Sequence, residues 1–303
     1  MPVNRIKLAD NGPEFSRIVY GLWRLNEWDM SRFDTLNRIQ ECLDLGITTF
    51  DHADIYGDYE NEAIFGQALH EQPNLREKIE IVTKCGIKLI SDNRPDHGIK
   101  HYDTSKDHII DSVNNSLNNL HTEYIDLLLI HRPDPLMNAE LVAEAFHELK
   151  EAGKVLHFGV SNFTPYQFDL LESRLDFPLV TNRIGLSEMN FDALHDGTVD
   201  QCQAYHMPPM AWSPFGGGDL FVTDDPKPKR VRRALEQVAA EFDGASIDQI
   251  ALAWLLRHPA NIIPIIGTGN SERIKSAAGS EEFILSREQW YKIWEASAGH
   301  EVP

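Results

Sequence analysis

Two side chains that can exchange protons stand close together in residues 48–57 of the chain. The β-prone run Thr48-Thr49-Phe50 breaks into a loop. Asp51 therefore leaves the end of a buried strand and Tyr56 follows it in the loop, so that both can face one pocket. A turn-forming acid and a half-buried aromatic give the same pattern, so a chemical interpretation requires partners elsewhere in the sequence.

Partners of the required kind end two other apolar segments. Lys84 closes residues 79–84, and a lysine buried there needs a counter-charge such as Asp51. His131 follows residues 125–130, which are almost wholly apolar and suit a parallel strand covered on both faces. A satisfied core histidine fits that position equally well. If the ends of these strands meet the loop described above, the four side chains form one acid–base set.

The order of the elements favours such a meeting. Strand-like and helix-like patterns alternate along the chain, and strands are expected at residues 18–21, 48–51, 79–84, 125–130, 155–160, 179–182, 210–213 and 262–265. Gly46 and Gly153 stand where left-handed caps would end two of the intervening helices. Eight alternating units favour a closed barrel over an open sheet, and in such barrels the functional groups come from the C-terminal ends of the strands.

We therefore predict an α/β fold, a (β/α)8 TIM barrel in which residues 1–303 form a single domain. A β-hairpin around Asn11-Gly12-Pro13 is expected to cap one end of the barrel, and extra helices are expected at the C-terminus. Residues 91–103 and 219–229 interrupt the alternation and are expected to be loops over the barrel mouth. With residues 23–28, these loops would select the substrate.

The composition restricts the class of function. Lys and Arg number 28 against 47 Asp and Glu, and the formal charge of −19 disfavours nucleic acid and anionic membranes as partners. Cys42, Cys85 and Cys202 are widely spaced without a CxxC pair, which fits a reducing cytoplasm. His97 and His101 lack partners at ligand spacing, so no metal is expected. No apolar run approaches the roughly 20 residues of a membrane span.

At six places the sequence resembles the aldo-keto reductase family. The matching motifs are Asp51-His52-Ala53-Asp54-Ile55-Tyr56-Gly57, Val82-Thr83-Lys84, Leu127-Leu128-Leu129-Ile130-His131, Gly159-Val160-Ser161-Asn162-Phe163, Trp212-Ser213-Pro214 and Ile263-Pro264-Ile265-Ile266-Gly267. The resemblance covers nearly the whole chain, and several motifs in the family's order make it specific where any one of them would be weak.

The resemblance implies a barrel that binds NADP(H) across its mouth and reduces an aldehyde or ketone to an alcohol by hydride transfer. Its catalytic tetrad would be Asp51, Tyr56, Lys84 and His131. Tyr56 would donate a proton to the carbonyl oxygen, although a phenol with a pKa of about 10 is a weak acid near neutrality. Lys84 would lower that pKa by stabilising the phenolate, Asp51 would keep Lys84 charged, and His131 would orient the carbonyl.

The same resemblance implies a set of cofactor contacts. Ser161 and Asn162 would bind the nicotinamide carboxamide, and Trp212 would stack on the ring. Arg273, in the first turn of a helix that begins near Ser271, would bind a 2′-phosphate, which predicts a preference for NADPH over NADH. The full set of expected contacts is Leu22, Trp23, Asp51, Ser161, Asn162, Arg183, Trp212, Ser213, Pro214, Phe215, Gly216, Gly267, Thr268, Gly269 and Arg273.

Two positions depart from the family's pattern. Arg183 stands where the family commonly has Gln as a carboxamide ligand, and its cation either disfavours the oxidised nicotinamide or points elsewhere to pair with a carboxylate. Ser276 and Ala277 follow Arg273 where relatives commonly carry Glu and Asn for the adenine. The adenine contacts are therefore open.

Two other functions stay open from the sequence. A barrel aldolase would use Lys84 to form a Schiff base, because a lysine at a strand end also suits that chemistry. A non-catalytic binding module would keep the cofactor as a redox sensor, although the complete tetrad disfavours a dead site. The expected partner is a small carbonyl substrate whose identity the loops decide, and the protein is expected to be a monomer or weak homo-oligomer.

Overall fold

The structure, a computed structural model, describes residues 2–10 and 12–303. Its strands, in chain order, are β1 (Arg5–Lys7), β2 (Glu14–Ser16), β3 (Val19–Gly21), β4 (Thr49–Asp51), β5 (Glu80–Cys85), β6 (Ile87–Lys88), β7 (His101–Tyr102), β8 (Ile125–Ile130), β9 (Val155–Ser161), β10 (Leu179–Gly185), β11 (Met210–Trp212) and β12 (Ile263–Ile266). Its helices are α1 (Arg32–Asp44), α2 (Asn61–Glu71), α3 (Lys106–Asn119), α4 (Ala139–Glu151), α5 (Pro165–Glu172), α6 (Thr198–Ala204), α7 (Asp219–Val222), α8 (Pro226–Ala239), α9 (Ile247–Leu256), α10 (Ser271–Ala278) and α11 (Arg287–Ala298).

Eight parallel strands of the described chain close into a barrel in the order β10, β11, β12, β3, β4, β5, β8 and β9. Every neighbouring pair in this ring is parallel, because each strand returns to the same end of the barrel through a helix on the outside. The predicted (β/α)8 barrel is confirmed. All the strand ends that carry candidate chemistry therefore lie at one mouth.

The N-terminal hairpin fills the opposite end of the barrel. β1 pairs with β2 in antiparallel fashion, and this segment places Leu8 and Phe15, both fully buried, in the barrel interior. Arg5 donates to Thr48 Oγ1 at 2.7 Å and pairs with Glu80 at 2.6 Å, where β4 and β5 begin. The apolar interior that the hairpin covers consists of Val19, Val82, Leu127, Leu129, Val180, Met210, Ile263 and Ile265. Asn11 of the expected turn lies outside the described residues.

Local signals set the ends of the helix that precedes the first candidate residue. Ser31 caps α1 by accepting from the amide of Asp34, whose carboxylate accepts from the amide of Ser31. The buried face of α1 is Thr35, Leu36, Ile39 and Cys42. After the helix, Gly46 has a φ of 80°, a left-handed conformation that favours glycine. The chain thus turns at once into β4, which ends at Asp51.

The two polar segments contain more regular structure than the sequence indicates. Residues 219–229 include α7 and the first turn of α8, which begins at Pro226; proline is tolerated there because the first amides of a helix have no intrahelical partner. Val231 and Leu235 of α8 then pack in one cluster with Ile293 and Trp294 of α11. In residues 91–103, the last part forms β7, which pairs with β6.

The expectations about membrane spans, metal ions and cysteines concern three separate features of the structure. Among the described residues, no helix is both long and apolar enough to cross a membrane. The same residues hold no group of three or more His, Cys, Asp or Glu side chains arranged to bind a metal ion. Cys42, Cys85 and Cys202 are free and buried, and burial raises the pKa of all three thiols.

Candidate active site

The C-terminal ends of neighbouring strands bring three of the sequence-predicted residues together with the loop that carries Tyr56. Asp51 ends β4, Lys84 lies near the end of β5, and His131 directly follows β8. Lys84 Nζ lies 3.0 Å from Asp51 Oδ1 and donates to the Tyr56 oxygen at 3.2 Å. It also donates to the backbone carbonyl of His52. The ammonium is fully buried, so these contacts replace its hydration.

Arg183, which the sequence places among the cofactor contacts, is bonded inside this cluster. Its Nη2 donates to Asp51 Oδ2 at 3.0 Å and to the Tyr56 oxygen at 3.2 Å. The Asp51 carboxylate therefore lies between two cations, one on each oxygen. Of the two outcomes open for Arg183 in the sequence, the structure shows pairing with a carboxylate.

Burial and neighbouring charge act in opposite directions on Asp51 and Lys84. Burial disfavours the carboxylate of Asp51, but the charges of Arg183 and Lys84 outweigh it and hold the pKa of Asp51 below its ordinary value. Burial lowers the pKa of Lys84 to about 7; Asp51 opposes that fall and Arg183 adds to it. Lys84 is therefore poised to gain or lose a proton near neutrality, whereas Arg183 keeps its charge.

The phenol of Tyr56 is less acidic in this structure than the resemblance implies. Burial raises the pKa of Tyr56, and the charge of Arg183 is the strongest influence that opposes the rise. The pKa of Tyr56 is raised overall because burial of the ring outweighs the opposing positive charges. The Tyr56 oxygen accepts from Lys84 and Arg183, which leaves its own proton free to point toward a ligand at the mouth.

His131 lies beside the phenol as a neutral imidazole. The ring centroids of Tyr56 and His131 are 5.9 Å apart, with an interplanar angle of 76°. Burial first, and then the charges of Lys84 and Arg183, hold the pKa of His131 well below its ordinary value. The backbone amide of His131 donates to the carbonyl of Cys85 at 2.9 Å, which fixes the start of the loop. A neutral histidine here can donate one hydrogen bond to a ligand without adding charge.

Ser161, Asn162 and Trp212 form a second group across the mouth. Asn162 adopts a φ of 60° and donates from its amide nitrogen to Ser161 Oγ at 2.8 Å. Its amide oxygen accepts from the indole nitrogen of Trp212 at 3.0 Å. Ser161 Oγ in turn donates to the backbone carbonyl of Arg183 at 2.9 Å. An amide oxygen accepts two hydrogen bonds, so Asn162 retains capacity for a ligand's carboxamide.

Gly185 decides where the Trp212 indole can lie. The two residues are paired in the register of β10 and β11. A Cβ added at Gly185 would come within 2.7 Å of Trp212 Cζ2, a distance that real Cβ atoms do not tolerate. The absence of a side chain at this position therefore lets the indole lie flat against the barrel end. The sequence shows both residues but not the contact between Gly185 and the Trp212 indole.

The chain after β11 makes a backbone cradle at the mouth. Ser213 has a φ of 52°, and the three glycines at 216–218 have φ values of 59°, 73° and 107°. A Cβ would meet nothing within 4 Å at Gly217 or Gly218, so the space above this turn is open. Pro214 is buried and Phe215 half-buried beneath it. Backbone that approaches a ligand closely in this way suits an anionic group.

A second loop, after β12, leads into the N-terminus of α10. The hydroxyl of Tyr20 donates to the carbonyl of Thr268 at 2.8 Å, and Arg38 donates to the carbonyl of Gly269 at 2.9 Å. Asn270 caps α10 by accepting from the amide of Arg273, whose side chain is exposed. The helix N-terminus and this free guanidinium are suited to a phosphate.

The remaining expected cofactor contacts lie at the edge of the mouth. Gly267 is exposed directly after β12. Leu22, which follows β3, is buried, and its amide donates to the carbonyl of Asp51 at 3.0 Å. Trp23 is 59% exposed, so its indole is accessible to a ligand at the edge of the mouth.

Two buried acids near Tyr56 were not identified in the sequence. The Asp54 carboxyl accepts from Ser112 Oγ at 2.8 Å, and Glu62 accepts from Thr83 Oγ1 at 2.6 Å. Burial, with the neighbouring Glu62, raises the pKa of Asp54 to about 8. Burial likewise raises the pKa of Glu62. The only sequence signal was their presence within one stretch around Tyr56, since their partners come from α3 and β5.

Several known proteins that are similar to this chain in sequence or structure are named oxidoreductases or reductases. The model of the aldo/keto reductase family matches residues 17–298. The oxidoreductase YdhF of Escherichia coli (strain K12) is 52% identical over 301 residues, covering 99% of this chain and all of the relative. A 6-dehydroglucose reductase of Agrobacterium fabrum is 45% identical over 301 residues, with the same coverage of both chains. The crystal structure of a thermostable aldo-keto reductase, Tm1743, in complex with the inhibitor epalrestat is 26% identical, covers 97% of this chain and 99% of that chain, and superposes with a TM-score of 0.81.

Proposed function

This chain belongs to the aldo/keto reductase family, and from that premise we propose that it is an NADPH-dependent reductase of aldehydes or ketones in which Tyr56 is the proton donor. The observation that carries the proposal is the position of the phenol. Its oxygen lies 3.2 Å from both Lys84 Nζ and Arg183 Nη2, at the mouth of the barrel. Cations at that distance stabilise the phenolate left after proton donation.

The chemistry divides between cofactor and protein. Bound NADPH would supply the hydride that the carbonyl carbon receives. Tyr56 donates its proton to the carbonyl oxygen, so that a hydride on carbon and a proton on oxygen convert the carbonyl to an alcohol and the protein is left with a phenolate. Lys84, whose pKa burial lowers to about 7, can return a proton to that phenolate near neutrality. Asp51 holds both cations in place, and neutral His131 donates a hydrogen bond that orients the carbonyl.

The cofactor assignment rests on three features of the mouth. One hydrogen-bonded group offers the hydroxyl of Ser161, the amide of Asn162 and the aromatic face of Trp212, which together suit a nicotinamide. The open glycine turn at 216–218 suits a pyrophosphate. Arg273, exposed at the start of α10, suits a 2′-phosphate, and this is the reason to propose NADPH over NADH.

The aldolase alternative is less well supported. A Schiff base requires a lysine that reaches the substrate with a free amine. Lys84 is fully buried, pairs with Asp51 and donates to Tyr56, so its nitrogen is already surrounded by protein groups. Borohydride treatment with small ketones, followed by mass spectrometry, would detect an adduct at Lys84 if the alternative holds.

Sugar-derived aldehydes are the first substrates to examine, because one relative that aligns over its whole length is named 6-dehydroglucose reductase. We propose a screen of such aldehydes with simple aldehydes and ketones, monitoring the absorbance of NADPH and of NADH. Oxidation of NADPH that depends on the carbonyl compound, with one alcohol formed per NADPH consumed, is the expected result. Binding of NADPH without turnover of any carbonyl would contradict the proposal and favour the binding-module alternative.

A further inference from the structure

The guanidinium of Arg183 contacts the phenol of Tyr56 and the carboxylate of Asp51. Its Nη2 makes both contacts, and the side chain is buried. The backbone is held as well, since the carbonyl of Arg183 accepts from Ser161 Oγ and from the amide of Asn162, at 2.9 and 2.8 Å. Both the guanidinium and the backbone carbonyl of Arg183 are therefore hydrogen-bonded within the protein.

The groups around Tyr56 differ in the charge that they carry near neutral pH. Those that act on the phenol from the surrounding elements are Arg183 from β10, Lys84 from β5, Asp51 from β4, Arg132 and His131 from the segment after β8, and Asp54 from its own loop. His131 is neutral, and the acids oppose ionisation of the phenol. Burial lowers the pKa of Lys84 toward neutrality, whereas a guanidinium stays charged at every physiological pH. Of the two cations bonded to the phenol oxygen, Arg183 is therefore the permanent one.

We infer that Arg183 is a positioning residue for proton transfer: it orients the Tyr56 hydroxyl, supplies a permanent positive charge to its oxygen, and shares Asp51 with Lys84. This inference rests on the proposed function and extends it. It assigns Arg183 to the proton donor, in place of the contact with the nicotinamide carboxamide expected from its position in the sequence. Lys84 is then free to act as the group that returns the proton, because phenolate stabilisation does not depend on its charge alone.

The first experiment compares wild type with Arg183→Gln and Arg183→Lys. Alcohol oxidation requires an ionised Tyr56, so its rate rises with pH through the pKa of the phenol. Loss of a bonded cation raises that pKa, and in Arg183→Gln the rising limb should move upward by about one pH unit or more, with kcat reduced and NADPH affinity nearly unchanged. Arg183→Lys, which keeps a charge, should restore part of the shift.

The matched control removes a guanidinium from the surface. Arg174 is exposed, pairs with Glu140 at 3.0 Å and has no contact with Tyr56 or Asp51 within the described residues. Arg174→Gln should leave the pH profile, kcat and NADPH affinity as in wild type. A fall in NADPH affinity for Arg183→Gln, with an unmoved pH limb, would overturn the inference and return Arg183 to the cofactor contacts. Melting curves of all variants show whether a lost activity is only lost folding.

The second experiment does not require turnover. A fluorinated tyrosine at position 56 has a more acidic phenol than tyrosine, and ¹⁹F NMR follows its ionisation directly. We expect a higher pKa for this phenol in Arg183→Gln than in wild type, and an intermediate value in Arg183→Lys. If the wild type reduces no carbonyl but the pKa responds in this way, the proposed function fails, whereas the effect of Arg183 on the ionisation of Tyr56 is supported. An unchanged pKa in an active enzyme would overturn the inference alone.

Discussion

At the scale of single residues, the site depends on one phenol whose acidity is set by what surrounds it. Burial works against proton donation by Tyr56, and the two cations at its oxygen work for it. The sequence predicted Asp51, Tyr56, Lys84 and His131 because each ends or follows an apolar strand. It did not predict the partners of Arg183, because those contacts join residues 132 and 127 positions apart and depend on the direction of one side chain.

Tyr56→Phe tests the proton donor. The substitution removes only the hydroxyl, so carbonyl reduction should fall by about 100-fold or more, the usual contribution of a general acid, while NADPH binds nearly as before. Steady-state rates and tryptophan fluorescence quenching measure the two effects. Tyr166→Phe is the control, because Tyr166 is 88% exposed on α5. Retention of most of the turnover in Tyr56→Phe would contradict the assignment.

Glu188→Gln tests a buried acid outside the site. Glu188 is fully buried, neither carboxyl oxygen has a hydrogen-bond partner within the described residues, and burial raises its pKa well above the ordinary value. The folded state thus holds a proton that the unfolded chain releases above about pH 4.3. The contribution of Glu188 to the free energy of unfolding is therefore greatest below that pH and declines as the pH rises toward the raised pKa.

A glutamine at position 188 cannot ionise, so the variant should lose less stability than wild type as the pH increases. We expect its Tm to exceed that of wild type by about 2 °C or more at pH 8, and by less at pH 5. Differential scanning calorimetry across this range measures the difference. Glu123→Gln, which removes the same charge from an exposed position, should show no such trend. Parallel Tm curves for wild type and Glu188→Gln would contradict the expectation.

At the scale of elements, the barrel strands were predictable and the connections were less so. β8 is apolar on both faces after Asp126 and is followed directly by the polar His131, a pattern typical of a strand in a parallel barrel. The loop expected at residues 219–229 overlaps the start of α8, because the first turn of that helix, Pro226 to Lys229, is polar and proline-rich and its continuous apolar face begins only at Val231. β7 is recognised only by its pairing with β6, a contact that no local pattern encodes.

Gly185→Ala tests the register of two strands. A methyl group at this position would displace the Trp212 indole, since the added Cβ would lie 2.7 Å from Cζ2. We expect NADPH affinity to fall by about 1–3 kcal/mol, the range for losing an aromatic stack, while the fold is retained. Gly98→Ala is the control, because nothing lies within 4 Å of its Cβ. Unchanged affinity in Gly185→Ala would show that Trp212 does not contact the cofactor.

At the scale of the whole molecule, a chain with a formal charge of −19 has to bind an anionic cofactor. Long-range repulsion opposes such binding, so the attraction must come from local groups. We propose that the open glycine turn, the N-terminus of α10 and the exposed Arg273 provide it at the mouth. The net charge therefore disfavours anionic polymers as partners but is compatible with a small anionic ligand.

Arg273→Met tests which dinucleotide the mouth selects. Loss of a hydrogen bond to a charged group should weaken NADPH binding by about 1.5–3 kcal/mol, with little effect on NADH, which lacks the 2′-phosphate. Fluorescence titration with both cofactors measures the difference. Arg287→Met, in the first turn of α11, removes an equal charge and serves as the control. An equal loss for NADPH and NADH would mean that Arg273 does not contact the phosphate.

The filled floor of the barrel bears on the order in which molecules bind. Leu8 and Phe15 occupy the N-terminal end, so the barrel is not a channel and cofactor and substrate share the mouth as entrance and exit. In the proposed complex, the nicotinamide would stack on Trp212 beside Asn162 and bind before the carbonyl compound that contacts Tyr56. Because cofactor and substrate would enter and leave through the same mouth, they would bind one after the other. We therefore expect an ordered kinetic scheme, with the cofactor first to bind and last to leave.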